Sequence, residues 1–201
     1  MQHRTNYHQG SQTVGGFKGH LFRRAVHLSI AIFPILYYAY GKIVAGWIAL
    51  TPSQLLIIII ILNSILEGLR FSFKWTWWGL RYQEARRLSS FSWGVLSICL
   101  VLLWAPAERF AVPIIWSCAF GDPVLGELRH TRLSSTWIAI IGIIFVMAVW
   151  WMCTGWLGTP WRLALLMGPL MVGLEWPNFT WIDDNALMQL IPLFIVLLLY
   201  Q

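Results

Sequence analysis

The sequence predicts an all-α integral membrane protein, a bundle of about seven transmembrane helices. Of its 201 residues, 58% are hydrophobic and 11% are charged, and the mean hydropathy is +0.66. Soluble domains carry about a quarter charged residues, and apolar runs such as residues 55–62 and 137–151 have no stable place on a water-facing surface. These observations exclude an ordinary soluble domain.

Seven apolar segments are candidates for spanning helices, although several are short enough to need tilting or kinking. They are residues 25–40, 53–69, 91–104, 110–125, 136–153, 163–176 and 186–200. Thr51-Pro52 predicts the start of the second helix, with threonine as the cap and proline in the first turn. Residues 1–20 are polar and lack the apolar core of a signal peptide. We expect them to form a flexible cytoplasmic segment ahead of a helical membrane domain at residues 21–201.

The basic residues predict the orientation of this bundle. With the N-terminus inside and the C-terminus outside, all 14 lysines and arginines lie on the cytoplasmic side except Lys42, Arg109 and Arg162. The positive-inside rule therefore favours an N-in, C-out topology. We expect a bacterial inner membrane or one of the endoplasmic-reticulum type. The net charge of +6 indicates contact with anionic membrane lipids and not with nucleic acid.

The acidic residues gather on the same side. In this topology every acidic residue except Glu108 falls at or near the cytoplasmic face, as do the five histidines. The positive-inside rule does not govern carboxylates, and Glu67, Asp122 and Glu175 border apolar runs, where an unpaired charge is costly. Two interpretations stay open: ion pairs that tie helix ends together, or one polar site built from several helices.

Residues 71–91 link the second and third predicted spans and mix aromatic with basic side chains. This composition is typical of an amphipathic helix lying among lipid headgroups. Binding of single-stranded nucleic acid is disfavoured, because the segment connects two membrane spans. The residues that make the segment amphipathic are Lys74, Trp75, Trp77, Trp78, Arg81, Tyr82, Arg86 and Arg87.

Four groups of polar residues are candidates for chemistry. They are Arg23, Arg24 and His27 at the first span, Glu67, Arg70 and Glu84 at and after the second, Asp122, Glu127 and Arg129 near the end of the fourth, and Glu175, Asp183, Asp184 and Asn185 around the last connection. The sequence Phe120-Gly121-Asp122-Pro123 is expected to break its short apolar helix beside the carboxylate. At membrane depth such breaks are tolerated mainly where the backbone lines a cavity.

The chemical character of these groups predicts a phosphate and metal site. Asp122, Asp183, Asp184 and Asn185 offer the hard oxygen ligands that hold Mg²⁺ together with a substrate phosphate. Neighbouring arginines would bind the phosphate oxygens. We therefore expect a Mg²⁺-dependent phosphate site at the cytoplasmic membrane surface.

The order of these motifs resembles the polyprenol kinase group, which includes phytol kinase, dolichol kinase and CTP-dependent diacylglycerol kinase and is related to phosphatidate cytidylyltransferases. The resemblance covers about residues 20–200 and is carried by R-R-x-x-H at 23–27, E-x-x-R at 67–70, E-x-R-R-L-S at 84–89, F-G-D-P at 120–123, E-W-P at 175–177 and I-D-D-N at 182–185. It implies transfer of a phosphoryl group from CTP or another nucleoside triphosphate to a lipid alcohol, with Mg²⁺ as the cofactor.

This kinase hypothesis assigns a role to each candidate residue. The catalytic residues would be His27, Glu67 and Asp122. The metal ligands would be Asp122, Glu175, Asp183 and Asp184. The residues that bind substrate or nucleotide would be Arg23, Arg24, Arg70, Glu84, Arg129, Arg132 and Asn185. The expected partners are membrane lipids and a lipid alcohol.

The chain departs from the family after Asp122. Family members continue with a loop of the form K-S-x-E-G-S, whose lysine and backbone N–H groups would cradle nucleotide phosphates. Here residues 121–142 contain no lysine and no Gly-Ser pair, so Arg129, Arg132 and Ser134-Ser135 are the candidates to replace that loop.

The missing loop motivates a second hypothesis, a catalytically inactive descendant of the same fold. Such a protein would serve as an accessory subunit of a larger membrane assembly, with other membrane subunits as partners. A transporter or channel is disfavoured, because no predicted span carries a charge at its middle.

Overall fold

The computed structural model describes residues 13–176 and 182–200, and the regular structure within these ranges is helical apart from one isolated bridge between Thr13 and Arg81. The helices are α1 (Gly16–Ser29), α2 (Ile32–Trp47), α3 (Pro52–Phe73), α4 (Ser90–Trp104), α5 (Glu108–Leu128), α6 (Ser135–Leu157), α7 (Trp161–Glu175) and α8 (Asp184–Tyr200). The predicted all-α fold is therefore confirmed for the described residues.

Two helices, α3 and α6, are long and apolar enough to cross a membrane. The pair α1 and α2 passes the same test jointly, with a bend of 47° at the break between them, so it gives a third candidate. The first predicted span thus consists of two helices. The first of these begins at Gly16, inside the segment expected to be flexible, whereas residues 1–12 lie outside the described residues. These helices are compatible with a membrane protein.

Helix α3 begins where the sequence predicts. Thr51 accepts a hydrogen bond from the Gln54 backbone N–H, the Gln54 side chain accepts one from the Thr51 backbone N–H, and Pro52 occupies the first turn. This reciprocal arrangement satisfies N–H groups that a helix start otherwise leaves without partners. The helix ends at Phe73, because Lys74 adopts a left-handed conformation with φ of 55°.

Helix α5 runs unbroken from Glu108 to Leu128, through both Pro113 and Pro123. The expected helix break at Phe120-Gly121-Asp122-Pro123 is therefore wrong. A proline inside a helix removes one backbone hydrogen bond and costs about 3 kcal/mol or more. Packing of α5 against α1, α2, α4, α6, α7 and α8 outweighs that cost, and Ala119, Gly121 and Leu125 around the proline are buried.

The tightest helix packing in the described bundle involves α6. A Cβ atom on Gly142 would lie 2.4 Å from the Leu125 side chain of α5, and one on Gly168 of α7 would lie 2.4 Å from the Met147 side chain of α6. Both glycines therefore allow close approach of helices, as small residues do in membrane bundles. Trp150 of α6 is fully buried and belongs to the same hydrophobic core as Leu125.

Residues 74–89 form no α-helix, in contrast to the amphipathic helix expected within 71–91. A short 3₁₀ helix, Tyr82–Arg86, is the only helical turn among them. The backbone of this segment instead forms hydrogen bonds with residues near the start of α1. The Val14 N–H donates to the Leu80 carbonyl at 2.8 Å, and the Gly79 N–H donates to the Val14 carbonyl at 3.0 Å. Pairing with residues near the start of α1 thus replaces helical hydrogen bonds.

Candidate functional site

Three carboxylates from three different helices converge at one end of the bundle. One oxygen from each of Asp122 on α5, Glu175 at the end of α7 and Asp184 at the start of α8 lies within 4.8 Å of the other two. These residues are separated by up to 62 positions in the sequence, so the fold alone brings them together. We call this group the carboxylate triad. It contains three of the four predicted metal ligands.

The triad has a donor set that suits Mg²⁺. Its carboxylate oxygens are hard ligands. One of them, Glu175 Oε1, is buried without a hydrogen-bond partner in the described residues, although the Glu175 side chain is 0% exposed. A buried carboxylate oxygen without a donor is costly, and a bound cation would remove that cost. The other oxygen of Glu175 accepts a hydrogen bond from Arg129 at 2.5 Å.

Asp183, the fourth predicted metal ligand, has different partners. Its Oδ1 accepts hydrogen bonds from the backbone N–H of Asn185 at 3.1 Å and from Asn185 Nδ2 at 2.9 Å. Burial opposes ionisation of Asp183, but hydrogen bonds from Ser90 and Asn185 and the positive charge of Arg23 outweigh it and lower the pKa of the carboxyl group. Asp183 therefore shapes the turn before α8 and places Asn185.

His27 connects the triad to α1. Its Nε2 lies 3.6 Å from Asp122 Oδ2 and 3.2 Å from the backbone carbonyl of Cys118, one turn earlier on α5. Only 16% of the His27 side chain is exposed. The imidazole is thus held next to a carboxylate of the triad.

A cavity of about 490 Å³ lies next to the triad. Its walls come from α1, α2, α3, α4, α5 and α8, and most are apolar, among them Phe33, Ile59 and Ile98. The cavity becomes polar where Arg23, His27, Asn63, Asn185 and Gln189 line it. His27 and Asn185 both line the cavity and contact carboxylates of the adjacent site. The cavity and the triad therefore share a wall.

A second polar cluster holds residues 84–89 against the end of α3. Both oxygens of Glu67 are occupied, by Arg70 at 2.8 and 2.9 Å and by the Ser89 backbone N–H and hydroxyl at 2.7 and 3.3 Å. Arg70 also donates to the backbone carbonyls of Glu84 and Arg87. The Glu84 carboxylate pairs with Arg23 at 2.8 Å. We call Glu67, Arg70 and Glu84 the α3 cluster.

The remaining predicted residues lie at the surface of this end. Arg24 forms an ion pair with Glu127 and donates to His20. Arg132, on the connection between α5 and α6, is exposed and forms no ion pair with a described residue. All 13 predicted positions are at this end of the molecule, divided between the triad with its surroundings, the α3 cluster with its partner Arg23, the half-buried Arg24 and the exposed Arg132.

Sequence reasoning missed Gln189. This residue is 1% exposed in α8 and lines the cavity. Its Nε2 donates to the Asn185 carbonyl at 3.3 Å, while its Oε1 has no partner in the described residues. A signal was present in the sequence, because Gln189 is the one amide inside an otherwise apolar stretch and follows Asn185 by four residues, on the same helix face.

Comparisons of the chain with protein-family models, with curated proteins and with solved structures found no match. The site is therefore interpreted from its own residues and geometry.

Proposed function

We propose that this protein transfers a phosphoryl group from CTP or another nucleoside triphosphate to the hydroxyl group of a lipid alcohol at the cytoplasmic membrane surface. The observation that carries the proposal is the shared wall between an apolar cavity and the carboxylate triad. A lipid phosphoryl transferase needs these two environments in contact, one for a hydrocarbon chain and one for phosphates. The resemblance of the motifs to the polyprenol kinase group supports the same activity.

We also propose that the chain forms a bundle of seven membrane spans with N-in, C-out topology. The bent pair α1 and α2 would form the first span, and α3 to α8 would form the others. The triad supports this arrangement, because it requires the ends of α5 and α7 and the start of α8 to be on one side. Alternating crossings place these three ends together, on the side where the basic residues gather.

The proposed reaction uses the triad for the nucleotide. Mg²⁺ held by Asp122, Glu175 and Asp184 would neutralise the charge of the nucleotide phosphates. Of the arginines, exposed Arg132 is free to bind phosphate oxygens, and Arg129 is placed to do so beside Glu175. These two arginines would take the part of the lysine that residues 121–142 lack.

In this proposal, the wall that the cavity and the triad share positions the lipid hydroxyl. His27 orients the hydroxyl group, and the Asp122 carboxylate accepts its proton. The hydroxyl oxygen bonds to the terminal phosphorus, and the bond from this phosphorus to the bridging oxygen of the leaving nucleoside diphosphate breaks. Such a transfer requires mainly positioning and charge neutralisation. In this scheme Glu67, Arg70 and Glu84 are positioning residues, because their contacts hold the segment that borders the cavity.

The experiment that tests the proposal measures transfer of label into lipid. Protein purified in mild detergent is given γ-labelled CTP or ATP, Mg²⁺ and, in separate reactions, phytol, a polyprenol or diacylglycerol. Label in the lipid phase that depends on the protein and on Mg²⁺ is the expected result. Absence of label with every combination of nucleotide and alcohol contradicts the proposal.

A structural subunit without catalytic activity is the second candidate. The observation that favours it is the number of polar residues that already pair with one another: Arg23 with Glu84, Arg24 with Glu127, Arg70 with Glu67 and Arg129 with Glu175. Ion pairs of this kind tie helix ends together without a ligand. Absence of label, together with other membrane proteins that co-purify in a fixed ratio, would support this function.

A further inference from the structure

One wall position of the cavity is a glycine with open space beside it. Gly94 lies in α4, is buried and lines the cavity. A Cβ atom added there would have no heavy atom within 4 Å apart from its own helix and chain neighbours. Glycine inside a helix lowers helix stability compared with alanine. Glycine at position 94 therefore lowers the stability of α4 compared with alanine, and it leaves space in the cavity.

The polar end of the cavity contains an acceptor without a donor. Gln189 Oε1 is buried and has no partner in the described residues, whereas the Nε2 of the same amide is bonded to the Asn185 carbonyl. A buried carbonyl oxygen of this kind is satisfied when a ligand donates a hydrogen bond. An alcohol hydroxyl is a suitable donor, and it can accept a hydrogen bond at the same time.

We propose that the cavity binds the hydrocarbon chain of a single-chain alcohol, that Gly94 determines how much chain the cavity accepts, and that Gln189 accepts a hydrogen bond from the hydroxyl group in the complex without nucleotide, before the proton passes to Asp122. The inference rests on the proposed function, whose lipid substrate it specifies. It adds two residues to the site, one that sets chain specificity and one that positions the hydroxyl.

The volume favours one chain. A cavity of about 490 Å³ lies within the range of about 300–1,000 Å³ that is typical of sites holding one drug-sized ligand. One long alkyl or isoprenoid chain fills such a space. A diacylglycerol brings two long chains and a glycerol unit, which exceed it.

The position of the mouth suits entry from the membrane. Five large hydrophobic residues line the cavity and are also exposed at the surface: Phe22, Leu66, Trp77, Trp78 and Phe91. They are large and apolar, and they surround the cavity from α1, α3, the stretch after α3 and the start of α4. Lipid contacting this apolar rim reaches the cavity without crossing water, so a chain dissolved in the bilayer enters sideways.

The test is equilibrium binding of radiolabelled phytol to the purified protein in detergent, without nucleotide or Mg²⁺. Gly94→Leu places a side chain in the cavity and is expected to weaken phytol binding by at least about tenfold, because the leucine displaces several methylene groups. Gly155→Leu is the matched control. Gly155 is an exposed glycine of α6, also with open space around its Cβ position and away from the cavity, and its variant should bind phytol like the wild type.

A second variant with a larger side chain in the cavity keeps the test valid if Gly94→Leu does not fold. Val95→Phe enlarges the neighbouring residue of α4, which also lines the cavity, and the same loss of binding is expected. Wild-type affinity in a folded Gly94→Leu or Val95→Phe protein overturns the proposal. Equal competition by dioleoylglycerol and by unlabelled phytol overturns the assignment to a single chain.

The role of Gln189 is tested with a pair of ligands. Gln189→Leu removes the acceptor at nearly constant volume and should weaken the binding of phytol by about three- to tenfold. It should leave the binding of phytane, the hydrocarbon without the hydroxyl group, unchanged. Equal effects on both ligands, or no effect on phytol, contradict the assignment.

These measurements separate this inference from the proposed kinase activity. Binding of phytol that depends on Gly94, in a protein that never phosphorylates an alcohol, supports the cavity assignment and refutes the kinase. Phosphorylation with an unchanged KM for the alcohol in Gly94→Leu refutes the cavity assignment and supports the kinase.

Discussion

Individual charged residues at the polar end of the bundle differ in how completely they are paired. Both oxygens of Glu67 are occupied by Arg70 and Ser89. Glu175 has one oxygen bound by Arg129 and one buried oxygen without a partner. A fully bonded carboxylate is suited to holding structure, whereas a partly bonded one beside two other carboxylates is suited to holding a cation. The two glutamates therefore call for different tests.

Glu67→Ala tests the structural role of the α3 cluster. The change leaves the buried Arg70 guanidinium with two backbone carbonyl acceptors but without a carboxylate to balance its charge, and such a loss costs about 3–5 kcal/mol when an ion pair is buried. A clear fall in the midpoint of thermal unfolding in detergent is expected. Glu127→Ala is the control, since the Glu127 side chain is 65% exposed and its pair with Arg24 should contribute no more than about 1 kcal/mol. Unchanged stability of Glu67→Ala with lost activity would instead support the catalytic role that the sequence suggests for Glu67.

Asp184→Asn tests the carboxylate triad as a cation site. Mn²⁺, which can occupy Mg²⁺ sites, is titrated into the protein, and the free ion is followed by electron paramagnetic resonance. Loss of one of three carboxylates should weaken binding by at least about tenfold. Glu108→Gln removes a carboxylate at the opposite end of α5 and should bind Mn²⁺ like the wild type. Identical titrations of both variants would show that the triad does not hold the ion.

At the scale of helices, the sequence predicted which segments are helical better than it predicted where those helices bend or break. Thr51 and Pro52 located the start of α3, because capping is a local property. The helix break at Pro123 was not found in the structure, and the bend within the first predicted span was not located by the sequence, because both depend on packing. Neighbouring helices keep α5 continuous through Pro123, and the chain bends by 47° between α1 and α2. Local sequence holds little information about such contacts.

Gly168→Leu tests the close approach of α6 and α7. Its side chain would start 2.4 Å from the Met147 side chain and 3.1 Å from the Ile143 backbone carbonyl, so the helices must separate or shift. Overpacking of this kind costs typically about 1–3 kcal/mol, and the midpoint of thermal unfolding should fall. Gly173→Leu, an exposed site of the same helix with nothing within 4 Å, should leave the midpoint nearly unchanged. Equal midpoints for both variants would contradict the tight contact.

For the whole molecule, the arrangement that matters is the contact between an apolar cavity and a group of carboxylates. The sequence identified most of the polar residues, since charges beside apolar runs are conspicuous. It identified neither the cavity nor its residues Gly94 and Gln189, because a cavity arises only where several helices fail to fill the space between them. It also did not separate the α3 cluster from the triad, because pairing of distant residues such as Arg23 with Glu84 is a property of the fold.

The cavity and the carboxylate triad lie side by side at one end of the bundle. The cavity opens through apolar residues that are exposed on the helix surface, and the triad lies where the ends of α5 and α7 meet the start of α8. A hydrocarbon chain can therefore stay in an apolar environment while its hydroxyl group meets polar residues. Phosphoryl transfer at a membrane surface requires this division.

The most direct test of this account compares Asp122→Asn with Glu108→Gln in the transfer of label from CTP or ATP to a lipid alcohol in the presence of Mg²⁺. Asp122 belongs to the triad and contacts His27, whereas Glu108 lies at the far end of the same helix. We predict that wild type and Glu108→Gln label the lipid equally and that Asp122→Asn loses at least about 99% of the rate, as expected when a group that stabilises transferred charge is removed. An Asp122→Asn rate equal to that of the wild type would contradict the account.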